Sequence, residues 1–320
     1  MPDVSNFSDL LASGSRPVIT AELPAVDGGG LDVVRQHIEA IAPHVDAINA
    51  TDNPAAHAHA SNVAIAIAIK QFGADPIMQV VCRDKNRLAI QADLAGAALF
   101  GVENICALTG DDVTAVDEPE TRRVFDLDGP QLIQVATNIA HGHYLSGRPI
   151  DPAPTLFVGA VENPGAPPLD HRIDRAVKKG KIGARFLQLQ ICYHQDRLEK
   201  LVAGCVERSL TTTTALLPTI CLTRSSRALT FMDERVAGIS VPVDVIRRVK
   251  AASNEGEAAY QLALEQARHA LSIRGVSGIH IADFRHDGSL ARLVADLGVR
   301  QELRPEQKED EHAHGSQLAG

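Results

Sequence analysis

The residues best suited to chemistry lie where short apolar runs of the sequence end. Glu22 closes the run VITAE, and a carboxylate at the end of a buried strand is costly unless it is paired or protonated. Such a group can act as a general acid or base, or it can pair with a Lys or Arg at the rim of a domain. From the residues alone, both interpretations of Glu22 stay open.

A second acidic segment, ICALTGDD, follows another apolar run and carries Thr109, Gly110 and Asp111. Glycine allows close approach of a ligand to the backbone, and a carboxylate can accept two N–H groups from a planar heterocycle. Gly-Asp-Asp is also common turn chemistry. The segment is therefore a candidate ligand contact or a plain turn.

Amide side chains alternate with apolar ones in the segment FLQLQ. A strand places Gln188 and Gln190 on one face and Leu187 and Leu189 on the other. Because an amide both donates and accepts hydrogen bonds, the two glutamines suit the edge of a pterin or flavin, and we expect them to contact substrate. An inward polar layer satisfied by neighbouring strands explains them equally well.

Two other kinds of site are disfavoured. His57 and His59 form an HxH pair of the kind that ligates metal in hydrolase barrels, but the set of ligands expected on later strands is incomplete, with His194 and Asp283 as the remaining candidates. We therefore predict no metal site. The sequence also lacks GxxxxGK[ST], and it lacks a GxGxxG that opens a helix after a strand, so a Rossmann-type dehydrogenase is not expected.

The elements that must position these residues alternate in type. Helical patterns such as LDVVRQHIEAIAPHV separate short apolar runs, which indicates βαβ units and a parallel sheet. Eight such units close naturally into a (β/α)₈ TIM barrel. The eight predicted strands are Val18–Glu22, Ala47–Asn49, Ile77–Cys82, Asn104–Ala107, Leu156–Ala160, Phe186–Gln190, Ala215–Ile220 and Gly278–Ala282.

Two intervals between strands are longer than the rest. Residues 110–154 hold an acidic loop and then a helix from about Pro130, and residues 225–274 hold helical patterns around Ala228–Val236 and Ala258–Ile273. Both excursions would emerge at the carboxyl ends of the strands, where barrels carry their binding loops. We predict one barrel domain over residues 1–303 and a disordered tail over 304–320.

Composition excludes several classes of protein. The 320 residues are 45% hydrophobic and 22% charged, with a formal net charge of -9, so general disorder and nucleic-acid binding are not expected. The longest apolar run is too short for a membrane span, and no signal peptide is evident. Five cysteines without a CxxC pair suit a reducing compartment. These features predict a cytoplasmic protein.

Taken in order, these segments resemble the methylenetetrahydrofolate reductase family from about Val18 to Val299. The likeness rests on Glu22, NATDN, GVENICALTGDD, FVGAVENP, KKGKIGARFLQLQ and GVSGIHIADF with its closing LGV. The order and spacing of these segments carry the resemblance, since no single one is diagnostic. It implies a flavoenzyme-type (β/α)₈ barrel of the shorter, non-animal type.

The resemblance also implies residue roles. Glu22 matches the acid that assists opening of the imidazolidine ring of 5,10-methylenetetrahydrofolate, and its burial would keep it partly protonated. Asp111 matches the residue that holds the pterin and stabilises developing positive charge, and Gln190 matches a glutamine that binds the pterin. Arg224 and Arg227 are candidate contacts to the glutamate tail of the folate. Hydride would come from NADH or NADPH, through a flavin or directly.

The flavin site departs from the family pattern. Thr109 replaces an Arg, Gln79 a His, and two arginines replace an Asp and an Asn on the following helix. These arginines can grip phosphate, either of FAD or FMN bound differently or of NAD(P)H in a flavin-independent enzyme. The implied cofactor contacts are Thr51, Gln79, Thr109, Gly110, Gly159, Asn163, Arg172, Arg175 and Lys179.

Two alternative functions remain open. A barrel that binds methyltetrahydrofolate and transfers its methyl group would also surround the pterin with an Asp and amides, but it would need neither an acid at Glu22 nor a nicotinamide. A non-catalytic partner subunit would not be expected to keep Glu22, Asp111 and Gln190 together. We expect a homo-oligomer in either case.

Overall fold

Eight parallel strands form a closed barrel in which each strand pairs with its neighbours in chain order and β8 pairs with β1. The computed structural model of the protein describes residues 7–111, 118 and 120–299. The predicted (β/α)₈ barrel is confirmed, and every strand lies within two residues of its predicted bounds. The strands are β1 Val18–Glu22, β2 Ala47–Ala50, β3 Pro76–Val81, β4 Asn104–Leu108, β5 Phe157–Glu162, β6 Phe186–Leu189, β7 Ala215–Leu222 and β8 Gly278–Asp283.

Helices follow the strands and pack around the barrel. In the described ranges, none of them is long and apolar enough to cross a membrane. The predicted tail over 304–320 lies outside the described residues, so the domain limits stay a prediction. The helices are α1 Phe7–Ser13, α2 Gly30–Ile41, α3 Asn62–Gln71, α4 Arg87–Ala98, α5 Gly129–Ala140, α6 Leu169–Ile182, α7 Gln195–Glu207, α8 Ser226–Arg235, α9 Val243–Lys250, α10 Glu255–Ser272 and α11 Ser289–Leu297.

An aromatic cluster fills the amino-terminal end of the barrel. Phe7 of α1 meets Phe186 edge-on at 5.2 Å between ring centroids, and Phe157 stacks on Phe186 at 5.7 Å. These rings pack with Val18, the first residue of β1, and with Leu217, the third residue of β7. The barrel is therefore a packed core at this end, which leaves the carboxyl end as the place for a ligand site.

The excursion after β7 builds a second apolar core over the β6–β8 side of the barrel. Met232 of α8 lies 3.8 Å from the Cys221 sulfur and 4.0 Å from the Tyr193 hydroxyl. Helices α8 and α10 were predicted, whereas α9 was not, because an eight-residue helix gives too few turns for a clear periodic pattern. The excursion thus covers the part of the rim beside β6–β8.

Candidate functional site

A layer of polar side chains crosses the barrel interior above the aromatic cluster. Asn49 of β2 and Gln188 of β6 exchange two amide hydrogen bonds of 2.8 and 3.1 Å. Gln188 also lies 3.4 Å from Nδ1 of His280, and Thr20 Oγ1 lies 2.8 Å from the same atom. Since these side chains come from strands that are not all neighbours, they can meet only inside the barrel.

His280 links this layer to Glu22. An amide nitrogen of Gln188 faces Nδ1, which can accept from it in the tautomer whose ring proton is on Nε2. Nε2 lies 3.7 Å from Glu22 Oε1 and is a buried atom with no hydrogen-bond partner among the described residues. In that tautomer the ring presents an N–H toward Glu22, and a small movement of the carboxylate would bring the two into hydrogen-bond distance.

Glu22 and Asp111 lie at the carboxyl ends of β1 and β4, the same end of the barrel. The Glu22 side chain is 33% exposed, so it is less buried than its position at a strand end led us to expect. Asp111 is exposed, and its backbone carbonyl accepts a 3.4 Å hydrogen bond from Arg83. Both carboxylates are thus accessible to a ligand at the rim.

The glycine at position 110 is explained by packing within the protein. Gly110 has a φ of +94°, and a Cβ there would lie 2.9 Å from Cβ of Arg83 and 3.3 Å from Cβ of Val81. The adjacent Thr109 is exposed, next to Gly129 at the start of α5. The turn interpretation of this segment accounts for Gly110 without any ligand.

An ion-pair network, which the sequence analysis missed, joins the loops after β2 and β3. Arg83 is buried and binds Asp84 through Nε at 2.6 Å, and this hydrogen bond is the main cause that raises the pKa of Arg83. Asp52 is buried and accepts from Val81 N at 3.0 Å. Burial raises the pKa of Asp52, although Lys85 at 3.4 Å opposes the shift.

The basic side chains that were predicted to contact a cofactor lie around a buried acid at the end of β5. Glu162 is bound by Lys179 at 2.7 Å, and Arg172 and Arg175 lie 3.5 and 3.6 Å from its oxygens. Burial lowers the pKa of Lys179, and Glu162 opposes this shift. Three cations face one anion, so the cluster keeps excess positive charge, and Nε of Arg175 is buried with no hydrogen-bond partner among the described residues.

Two other residues that were predicted to contact a cofactor make contacts within the protein instead. Gly159 is buried, and a Cβ there would collide with the ring of Phe186, so the aromatic cluster and not a cofactor requires this glycine. Asn163 donates to the Gly238 carbonyl at 2.8 Å and accepts from Gly165 N, which ties the β5 loop to the excursion after β7.

The other residues predicted to contact substrate or cofactor lie in or just after strands β2, β3 and β6. Gln188 belongs to the interior layer, as the polar-layer interpretation proposed, whereas Gln190 is half-buried and accepts from Ile191 N at 2.9 Å. Gln79 is buried in β3, and Thr51 is half-buried just after β2.

The two arginines proposed for the folate tail are both exposed beyond β7. Arg224 donates to the carbonyl of Arg285, and Arg227 lies in α8.

His280 and Asn49 are the functional candidates that sequence reasoning missed although a signal existed. In IHIA, His280 stands between two isoleucines, and in AINA, Asn49 stands between Ile48 and Ala50. Period-two alternation places each polar residue on the face opposite its apolar neighbours, that is, inside the barrel. For Glu162 and Arg83, by contrast, no local sequence pattern indicates which residues form their ion pairs.

No metal centre is evident in the part of the chain that the structure describes. No group of three or more His, Cys, Asp or Glu side chains lies close enough to hold an ion there. In the HxH pair, His59 Nδ1 lies 2.5 Å from an Asp27 carboxylate oxygen.

Comparisons with known proteins agree with this architecture. Among solved structures, the chain is similar to an uncharacterized protein from Clostridium thermocellum that binds two copies of 5-methyl-5,6,7,8-tetrahydrofolic acid, with a TM-score of 0.65 and 14% identity over 91% of this chain and 98% of that one. It is also similar to an EDTA monooxygenase from Chelativorans sp. BNC1, with a TM-score of 0.54 and 12% identity over 88% and 92% of the two chains.

At these identities the structural likenesses show the fold alone. No curated protein sequence matches the chain. The model of one protein family, described as methylenetetrahydrofolate reductase, matches residues 33–298. Because that match spans most of the 320 residues, the chain belongs to the methylenetetrahydrofolate reductase family.

Proposed function

We propose that this protein reduces 5,10-methylenetetrahydrofolate, or a related tetrahydropterin, to the 5-methyl form with hydride from NADH or NADPH. The observation that carries the proposal is Glu22, a partly exposed carboxyl group at the open end of the barrel whose Oε1 lies 3.7 Å from Nε2 of His280. Membership of the family and the folate bound by the Clostridium thermocellum protein support a folate as the substrate.

Glu22 would act as the general acid. Its proton passes to N10 as the bond between N10 and the bridging carbon breaks, which leaves a 5-iminium cation and a Glu22 carboxylate. The bridging carbon then accepts hydride and becomes the 5-methyl group. Asp111 at the rim would hold the pterin and stabilise the cation, because an exposed carboxylate can accept N–H groups while it offsets positive charge.

His280 would keep Glu22 oriented through a hydrogen bond from its Nε2–H. The Thr20 hydroxyl and the Gln188 amide fix the ring through Nδ1, so only Nε2 is left to face Glu22. The Glu22 carboxylate formed in each turnover takes its next proton from solvent, which reaches it because the side chain is 33% exposed.

The residues implied for a flavin fit that cofactor poorly. Gly159 is covered by the ring of Phe186, Asn163 is hydrogen-bonded to Gly238, and Lys179 is bound to Glu162. We therefore favour direct use of NAD(P)H, which supplies the hydride when it is bound. Arg172 and Arg175 are the proposed contacts to its phosphates, because Glu162 leaves their charge only partly balanced.

The phosphate contact is tested by replacement of Arg175. A charge-assisted hydrogen bond contributes about 1.5–3 kcal/mol, so Arg175→Ala should raise the KM for NAD(P)H by about 10- to 100-fold and leave the KM for folate unchanged. Lys178→Ala, also on α6 but exposed, is the matched control. An equal effect of both variants, or an effect on the folate KM alone, would refute this assignment.

The reaction itself is tested by absorbance. Oxidation of NADH or NADPH that depends on 5,10-methylenetetrahydrofolate supports the reductase, whereas folate binding without such oxidation supports the methyltransferase alternative. The visible spectrum of the purified protein decides the cofactor. A colourless active preparation supports direct hydride transfer, and bands of oxidised flavin would favour FAD or FMN instead.

We also propose that the protein acts in the cytoplasm as a homo-oligomer. The five cysteines are free thiols, and four of them are buried, as suits a reducing compartment. Light scattering on the purified chain would give its mass in solution, and a mass of 34.1 kDa would refute the oligomer.

A further inference from the structure

The side of α4 that faces away from the barrel is apolar along its whole length. Ile90 and Leu94 are buried in the core, whereas Leu88 is 75% exposed and Leu99, which follows the helix in helical conformation, is 84% exposed. The outward residues recur at intervals of four, three and four positions: Leu88, Ala92, Ala95 and Leu99. The outer side of a surface helix normally carries charged and polar residues, but this stripe carries none.

Other exposed apolar side chains lie next to this stripe. The backbone N–H of Leu145 donates to Gln91 of α4 at 2.8 Å, and that of Val124 donates to the carbonyl of Arg83, just before α4, at 2.8 Å. Among the described residues, six of the ten exposed large apolar side chains therefore lie on or beside α4. We call these six the α4 patch: Leu88, Leu99, Phe100, Val124, Phe125 and Leu145.

The α4 patch has the area that a stable dimer requires. The exposed parts of its six side chains together equal about three whole side chains, or about 600 Å² at about 200 Å² for each large side chain. A stable interface buries about 800 Å² on each partner, so the patch supplies most of that area before Ala92, Ala95 and the polar edges are counted. Apolar patches of this size mark interaction sites on soluble proteins.

The pattern of the stripe indicates which partner covers it. Its order is large, small, small, large, and its spacing of four, three and four residues is the same in both directions along the helix. A second copy of α4 that runs antiparallel therefore presents a matching surface. Across a twofold axis between Ala92 and Ala95, Leu88 of each copy would meet Leu99 of the other, and the two alanines let the helices approach closely.

We propose that two copies of this chain associate through the α4 patch, with their α4 helices antiparallel across a twofold axis. This inference deepens the proposed homo-oligomer by naming its contact surface. The stripe lies on the outside of the barrel wall, so the pairing leaves the carboxyl end of the barrel, with Glu22, open to ligands.

Ala92→Glu tests the pairing at its centre. Ala92 is exposed on a helix, and Glu is a good helix former, so the single chain should fold as the wild type does. In the dimer the two new carboxylates would lie close together across the axis, so the dissociation constant should rise by at least about 100-fold. Ala203→Glu makes the same change at an exposed position of α7 and is the matched control.

Light scattering at one protein concentration gives the readout. Wild type and Ala203→Glu should share one mass, at least twice the 34.1 kDa of the chain, and Ala92→Glu should have at most half of that mass. Ala92→Lys should dissociate likewise, and an equal mixture of Ala92→Glu and Ala92→Lys should regain the wild-type mass, because opposite charges then face each other. A misfolded variant would not show this rescue.

Two results would overturn the α4 patch as the interface. One is an Ala92→Glu protein with the mass of the wild type, and the other is a mixture of the two variants that stays dissociated. A wild type of 34.1 kDa would overturn the pairing and the proposed oligomer together, and it would leave the patch to a different protein. Because none of these measurements uses turnover, their failure is distinct from failure of the proposed reductase activity.

Discussion

Replacement of Glu22 by Gln tests the central step with little disturbance of the fold. The side chain is 33% exposed, and Nε2 of His280 lies 3.7 Å from its Oε1. Even as an ion pair, a contact this exposed would contribute only about 0–1 kcal/mol to stability. The amide has the same shape as the carboxyl group and can still accept from His280 Nε2–H. We therefore expect the unfolding temperature to fall by no more than a few degrees.

The effect on turnover should be far larger. General acid catalysis contributes about 10²–10⁴ in rate, which corresponds to about 3–5 kcal/mol of transition-state free energy. In the assay, NAD(P)H oxidation at saturating 5,10-methylenetetrahydrofolate should fall by that factor for Glu22→Gln. The Kd for 5-methyltetrahydrofolate should stay within about threefold, because N10 of this product needs no proton from the acid.

A matched control separates the acid from the substitution as such. Glu257→Gln makes the same chemical change in a surface pair with Arg292, 2.8 Å away, and should leave turnover unchanged. If Glu22→Gln keeps more than about a tenth of wild-type turnover, a smaller loss than general acid catalysis predicts, the proton reaches N10 by another route and the reasoning fails.

Three further substitutions test the packing and electrostatics that support the site. Gly159→Ala should lower the free energy of unfolding by about 1–3 kcal/mol in urea titration, since its Cβ meets the ring of Phe186; an unchanged midpoint would contradict this. Glu162→Gln should lower it by about 3–5 kcal/mol, because Lys179 loses its buried partner, and a loss below about 0.5 kcal/mol would count against that pair. Asp52→Asn should instead raise the free energy of unfolding at neutral pH. Burial raises the folded-state pKa of Asp52, so its ionised form opposes folding above that pKa, and the gain should vanish by about pH 3; a gain that persists there would disprove this cause.

The sequence by itself determined the architecture and the position of the proposed acid. Apolar runs separated by helical patterns gave eight strands within two residues of their observed bounds, because strand and helix periodicity are local properties. The parallel order of these strands then placed Glu22 and Asp111 at the same end of the barrel. Alternation likewise put Gln188 inside, where it pairs with Asn49.

Only the tertiary structure decided which side chains are free to meet a ligand. Gly159 lies under Phe186, which is distant in sequence, and Lys179 is bound to Glu162 of another element. His280 comes to Glu22 only because the last strand of the chain pairs with the first. The closure of the barrel brings together residues separated by more than two hundred positions, and no local pattern in the sequence encodes the distance between them.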